Sequence, residues 1–158
     1  MHDRTERIRC LINEPRKQQV LLKNEDLWSQ LCSSLDAIED CALAIAAYSA
    51  GEVSASKGTH YLAVYGLLQA LYLQQDAVFH VCESLGVKNE LKDWLGKYPR
   101  LKGVRDIRNA SVGHPTKKDM PKSQPATYNF ISQASLSLGG FDLLSWDSAG
   151  KFTARKVS

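Results

Sequence analysis

The chain has 158 residues, 44% of them hydrophobic, 23% charged and 8% aromatic, with a formal net charge of +3. These ordinary globular values exclude collagen-like, mucin-like and wholly disordered classes, and the length suits one domain with its own core. No apolar run approaches the ~20 residues of a membrane span, and the charged start Met1-His2-Asp3-Arg4 leads into no apolar signal segment.

Residues 3–23 read as a short helix from Thr5 to Asn13, a break at Pro15 and a second turn through Val20, Leu21 and Leu22. Asn24 suits the N-cap of a long helix, with Glu25 and Asp26 in its first turn, where acids favour the helix dipole. Trp28, Leu31, Leu35, Ile38, Ala42 and Ile45 then recur at spacings of three and four, a helical stripe that ends at Gly51. After a loop over Gly51–Gly58, a second long helix is expected from about Thr59 to Leu85. Its main stripe is Tyr61, Val64, Leu68, Leu71, Val78, Cys82 and Leu85, with Gln75 the polar interruption, and Gly86 closes it. Leu62, Tyr65, Tyr72 and Phe79 widen the apolar surface past one face, as in a central bundle helix or an oligomer interface.

Asn89 can cap a short helix over Glu90–Lys97, and Pro99 opens another to Asn109 with Leu101, Val104 and Ile107 apolar. Gly113–Pro125, with three prolines and no periodicity, reads as loop. Ser135–Leu138 and Phe141–Trp146 flank Gly139-Gly140, a hairpin signal, and Lys151–Val157 alternates again. The fold expected is mainly α: an up-and-down helical bundle over 1–122, then a loop and a small antiparallel β appendage over 123–158. The sequence stops inside a strand-like segment, so a continuation past Ser158 is expected. Cys10, Cys32, Cys41 and Cys82 are widely spaced, with no Cys-x-x-Cys and no nearby histidine pair. That spacing argues against a zinc site or disulfide framework and for a reducing cytoplasm.

Charge is uneven along the chain. Residues 24–86 carry eight acids and one base, whereas 88–122 carry ten bases and four acids, a local excess of +6 able to attract a polyanion. Inside that segment lies Val104-Arg105-Asp106-Ile107-Arg108-Asn109-Ala110-Ser111-Val112-Gly113-His114-Pro115. Arg108 follows Leu101 by seven residues and Val104 by four, so it points toward the buried side of its helix, with Arg105 close to the same direction. An inward arginine needs a partner. Asp36, Glu39 or Asp40 of the acidic helix, a bound anion, or both could supply it.

His114 can gain and lose a proton near neutrality, and the planar guanidinium of Arg108 suits a phosphate. Asn109 could position an imidazole or bind a ligand, while Arg105, Lys117 and Lys118 are candidates for holding substrate phosphates. Together they supply what metal-free RNA cleavage requires. A base takes the proton of the 2′-hydroxyl, a cation stabilises charge on the phosphoryl oxygens, and an acid protonates the departing 5′-oxygen. One His114 cannot easily be base and acid at once, and a two-fold dimer would supply the second. Arg105, Arg108 and Asn109 are equally what dipole and capping preferences put near a helix C-terminus. His60 and His80 read as packed or surface residues, Tyr61, Tyr65 and Tyr72 as core, and Lys151, Arg155 and Lys156 as cations blunting an edge strand.

Two long helices, a short helix and then Arg108-Asn109 with His114 after four further residues (five counted from Arg108) resemble the HEPN (higher eukaryotes and prokaryotes nucleotide-binding) superfamily over roughly residues 24–120. The resemblance implies an up-and-down bundle, usually dimeric, with paired motifs across a composite cleft. It implies a metal-independent endoribonuclease of the kind found in toxin–antitoxin and defence systems, with RNA as substrate, no cofactor and an antitoxin or other protein partner. It carries over Arg108 and His114 as catalytic residues and Asn109 as their helper; Arg105 matches nothing fixed in the signature. Two readings compete with it: a non-catalytic HEPN-like dimer that binds a nucleotide, nucleic acid or protein, and a purely structural bundle whose motif is coincidence.

Overall fold

The computed structural model describes residues 2–53, 56–91, 93–113 and 125–158. Among these residues the protein is mainly helical, with a small three-stranded antiparallel sheet at the C-terminal end. The helices are α1 (His2–Ile12), α2 (Pro15–Leu21), α3 (Glu25–Ser49), α4 (Lys57–Ser84), α5 (Trp94–Lys97) and α6 (Pro99–Arg108). A 3-10 turn over Lys88–Leu91 precedes α5, and a π-helical turn over Asn109–Gly113 extends α6. The strands are β1 (Thr127–Ile131), β2 (Phe141–Asp147) and β3 (Phe152–Val157). No helix among the described residues is long and apolar enough to cross a membrane.

Local chemistry sets the helix ends. The Asn24 side chain accepts the Leu27 N–H at 3.0 Å, the N-cap its sequence position predicts. Ser56 Oγ accepts the Thr59 N–H at 3.2 Å and starts α4 two residues earlier than its apolar pattern suggested. Pro15 and Pro99 stand at helix starts, where a missing N–H removes no bond. At the far end of α3 the Glu52 N–H returns to the Ala47 carbonyl, and after α4 the Val87 N–H returns to Cys82, each past a glycine.

The described residues group into two compact units. The first comprises the described chain up to Ala46 together with Ala70–Leu101. Its core joins Ile12 of α1, Leu31, Leu35 and Ile38 of α3, and Ala77 and Val81 of α4. Here α3 and α4 run antiparallel: Gln30 bonds Glu83 and Ser84, while Gln74 reaches the Ile38 carbonyl. The apolar stripe expected on this half of α4 is displaced. Val78 and Leu85 are exposed, while Ala70, Gln75, Ala77, Val81 and Ser84 are buried. Small side chains allow close helix approach, so hydrophobicity alone misjudges which face turns inward.

The second unit comprises Ala47–Gln69 and the described residues of Lys102–Ser158. Val64 and Leu68 of α4 meet Ile131, Leu136, Phe141 and Leu143, with Ile107, Ala110 and Val112 packed against them. The sheet expected as an appendage therefore shares its core with helical segments. Two tyrosines fasten it: Tyr48 Oη donates to the Leu138 carbonyl at 2.6 Å and Tyr61 Oη to that of Ile131 at 3.4 Å.

Strand order is β1-β2-β3, with Phe130 opposite Leu144 and Trp146 opposite Phe152. The hairpin expected between Ser135–Leu138 and Phe141–Trp146 is corrected: β2 pairs instead with Thr127–Ile131. Ser135 is turned out of strand geometry by its N–H bonding Ser132 and its hydroxyl accepting the Asp142 N–H at 2.8 Å. Leu136 is buried without belonging to a strand, which explains its apolar signal. A single bridge between Ser137 and Gly140 leaves Leu138-Gly139 as the tight turn. Gly140, at φ +144°, admits no side chain, because a Cβ there would collide with the Val157 carbonyl.

Candidate functional site

The site is built where α6 ends. Arg105 and Arg108 lie in its last turn, where cations oppose the negative end of the helix dipole. The helix then widens into the π-helical turn Asn109–Gly113, a local geometry common at functional sites. Ser111 accompanies the widening: it is 2% exposed, and its hydroxyl donates to the Ile107 carbonyl at 2.7 Å. A side chain bonding four residues back competes with the helix ladder and bends it.

Arg108 is half-buried and closely held. Its Nε and Nη2 both donate to Gln69 Oε1, at 3.0 and 2.9 Å, and its Nη1 donates to Asn109 Oδ1 at 3.1 Å. Both acceptors are amides, which orient a guanidinium through charge-assisted bonds without themselves cancelling its charge. Gly113 closes the arrangement from the next turn, since a Cβ there would lie 2.9 Å from Arg108 Nη1. The sequence points Arg108 toward the packed side of its helix, and its contact with Gln69 of α4 agrees with that direction.

Two of the acids weighed as its partner, Asp36 and Glu39, face Arg9. Arg9 pairs with Asp36 through Nη2 and faces Glu39 through Nε at 3.6 Å. Partial burial works against the Arg9 charge, but hydrogen bonding and attraction from Asp36 and Glu39 outweigh it and raise its pKa. Asp40 is exposed on α3.

Of the residues singled out in the sequence, Arg108 and Asn109 meet directly, and Arg105 lies one turn earlier on α6, half-buried. His114, Lys117 and Lys118 lie outside the described residues. Two contributors escaped the sequence reading, Gln69 and Gly113. Gln69 directly follows the buried Leu68, and a polar side chain beside an apolar stripe was the available signal. A hollow of about 590 Å3 belongs to the first unit along Ile38, Ala42, Leu43, Ile45 and Ala46. Its lining is mostly aliphatic and offers little for phosphate chemistry.

Compared with family models, curated proteins and solved structures, the chain matches none.

Proposed function

We propose that this protein is an endoribonuclease of the HEPN type, acting as a two-fold dimer without a metal, with an up-and-down bundle as its helical frame. The observation that carries the reading is the Arg108 guanidinium, fixed by Gln69 and Asn109 at the start of the turn that leads into His114. A cation so oriented suits the non-bridging oxygens of a phosphodiester, and charge developing there is stabilised most by donors that need not reorganise. His114 of one protomer takes the 2′-hydroxyl proton, and the 2′-oxygen attacks phosphorus. The P–O5′ bond breaks as the other protomer's imidazole protonates the leaving oxygen, giving a 2′,3′-cyclic phosphate and a free 5′-hydroxyl. Arg105, Lys117 and Lys118 supply positive charge for neighbouring phosphates. The free thiols and the signature suit a toxin or defence nuclease at work in the cytoplasm, with an antitoxin as protein partner.

The test is incubation of the purified protein with RNA in EDTA beside His114→Ala and Arg108→Ala. Scission by the wild type, with cyclic-phosphate ends and loss of more than about a hundredfold in either variant, supports the reading. Intact RNA at every protein concentration, or a His114→Ala protein that cuts equally well, overturns it. RNA binding without scission, abolished in Arg108→Ala, selects the non-catalytic HEPN-like binding module instead.

A further inference from the structure

The sheet of the second unit has two unlike faces. Asn129, Ile131, Phe141 and Leu143 turn inward and are buried. Strand alternation puts Tyr128 and Phe130 of β1, and Leu144 and Trp146 of β2, on the opposite face. The register adds Phe152, opposite Trp146, and Lys156, opposite Asp142. This outer face is aromatic where an antiparallel sheet open to water is ordinarily polar. Phe130 and Trp146 are each 42% exposed and Phe152 is 61% exposed. Three of these rings, Tyr128, Phe130 and Trp146, form one contiguous set. Tyr128 stacks on Trp146 with centroids 5.6 Å apart and planes 26° apart, and Phe130 meets Trp146 nearly edge-on at 5.5 Å.

Charge accompanies the rings. Residues 148–158 carry Lys151, Arg155 and Lys156 and no acid. Lys156 shares the aromatic face, and Lys151 immediately precedes the edge strand, which begins at Phe152. Of the two nearby acids, Asp142 faces Lys156 in register, and Asp147 is occupied by the backbone N–H groups of Ala149 and Lys151 at 3.0 and 2.9 Å.

We propose that this outer sheet face binds single-stranded RNA, stacking two or three unpaired bases on Phe152, Trp146 and Phe130 while Lys151 and Lys156 follow the phosphates. Exposed rings across neighbouring strands beside a basic edge are the combination that holds unpaired nucleic acid with little sequence preference. A duplex keeps its base faces inside its own stack and cannot use such rings. The choice of RNA over DNA rests on the nuclease reading above; the stacking surface does not.

The probe is a fluorescein-labelled decamer of 2′-O-methyl uridine, which lacks the nucleophile for cleavage, read by anisotropy against a blunt RNA duplex of equal length. The wild type is expected to bind the single strand at least tenfold more tightly than the duplex. Phe152→Ala and Trp146→Ala are each expected to weaken binding about tenfold, and Lys156→Gln to weaken it less while flattening the salt dependence. Phe152 is the safer variant for folding because it is the most exposed ring, and circular dichroism checks each protein. Aromatic variants that fold and bind like the wild type, or a preference for the duplex, overturn the proposal. So does unchanged RNA affinity with a Phe152→Ala protein that loses self-association, which makes the face a protein interface. The two readings fail separately: ring-dependent binding by a protein that never cuts unmodified RNA sinks only the nuclease, and cutting with ring-independent binding sinks only the platform.

Discussion

Gly113→Ala separates the placement of Arg108 from the stability of the fold. The added Cβ would stand 2.9 Å from Arg108 Nη1, 3.6 Å from its Cζ and 3.5 Å from Asn109 Oδ1, whereas ordinary contact begins at 3.4 Å. The guanidinium must therefore retreat by about half an ångström, and it can do so because it is the end of a flexible side chain. That retreat stretches or breaks the Nη1 bond to Asn109, now 3.1 Å, and disturbs the two bonds to Gln69. A charge-assisted bond contributes about 1.5–3 kcal/mol, part of which is recovered as the side chain settles elsewhere. Replacing glycine by alanine within a helical turn returns about 0.5–1 kcal/mol. The net change in stability is thus within about 1 kcal/mol, or roughly 2–4 °C in Tm for a chain of this size. The catalysis proposed for Arg108 would tolerate displacement less well, because catalytic groups must be held to about 0.5 Å, and a 1 Å misplacement can cost about a hundredfold. The expected outcome is a drop of roughly tenfold in kcat/KM for RNA cleavage, measured in EDTA beside calorimetry of the same protein. Unchanged cleavage at unchanged Tm would show that the position of this guanidinium does not matter. A Tm lowered by more than about 10 °C would show instead that the added methyl meets unyielding structure.

Three further outcomes follow from packing and charge. Leu35→Ala and Leu68→Ala each remove a buried side chain from a different core and should destabilise by about 2–5 kcal/mol, on the order of 10 °C by calorimetry; losses under about 1 kcal/mol would contradict the two cores as described. The hydrogen bonds of Lys88 and then Gln30 hold the Glu83 carboxyl below its ordinary value of 4.5, so its contribution to stability is complete above that pH and is lost as pH falls through the lower folded value. Glu83→Gln should flatten the acid limb of a stability–pH profile, and an unaltered limb would remove the carboxylate from the account. Burial pushes the Cys41 and Cys82 thiols up, with the Asp40 charge adding to the effect at Cys41, while Cys10 is exposed. Thiol titration at pH 8 should therefore give one fast phase that Cys10→Ser abolishes, with Cys41 among the slowest to react.

The long helices were legible because capping and periodicity agree there. Asn24, Pro15, Pro99, Gly51 and Gly86 all mark boundaries by local chemistry that tertiary contacts leave intact. Legibility fell where one element serves two cores. On α4, Val64 and Leu68 face the core their pattern predicts, but further along Ala77 and Val81 are buried while Val78 is exposed. A hydrophobicity scale cannot weigh the close approach that alanine permits. The sheet was misread at Ser135–Leu138 because buried Leu136 and the glycine pair imitate a strand and turn, while β1 carries Asn129 among its apolar residues. That asparagine is accommodated by the Ser145 hydroxyl across the strand pair, at 2.6 Å, a partner known only once the register is known. At the site, the inward direction of Arg108 was legible from its spacing to Val104. Its partner Gln69 lies 39 positions away, and no local rule connects them.

The two faces of the sheet give the second unit a physical division of labour. Ile131 on the inner face belongs to the core against which Ile107, Ala110 and Val112 pack, and these residues bracket Arg108 along the chain. The turn carrying the guanidinium is thus backed by strand residues, and the tyrosine bonds to the Ile131 and Leu138 carbonyls stiffen that backing. Such support from regular elements limits how far Arg108 can stray from Gln69, which oriented catalysis requires. Because alternation sends successive strand residues to opposite faces, the same β1 that buries Ile131 presents Phe130 outward without disturbing the core. On the proposed reading, aromatic substitutions on the outside should therefore change nucleic-acid affinity while leaving the Arg108 arrangement in place, and substitutions at Gly113 should do the reverse. Were both proposals to hold, a nuclease whose gripping surface and cutting turn share one sheet could retune substrate affinity without relocating its chemistry.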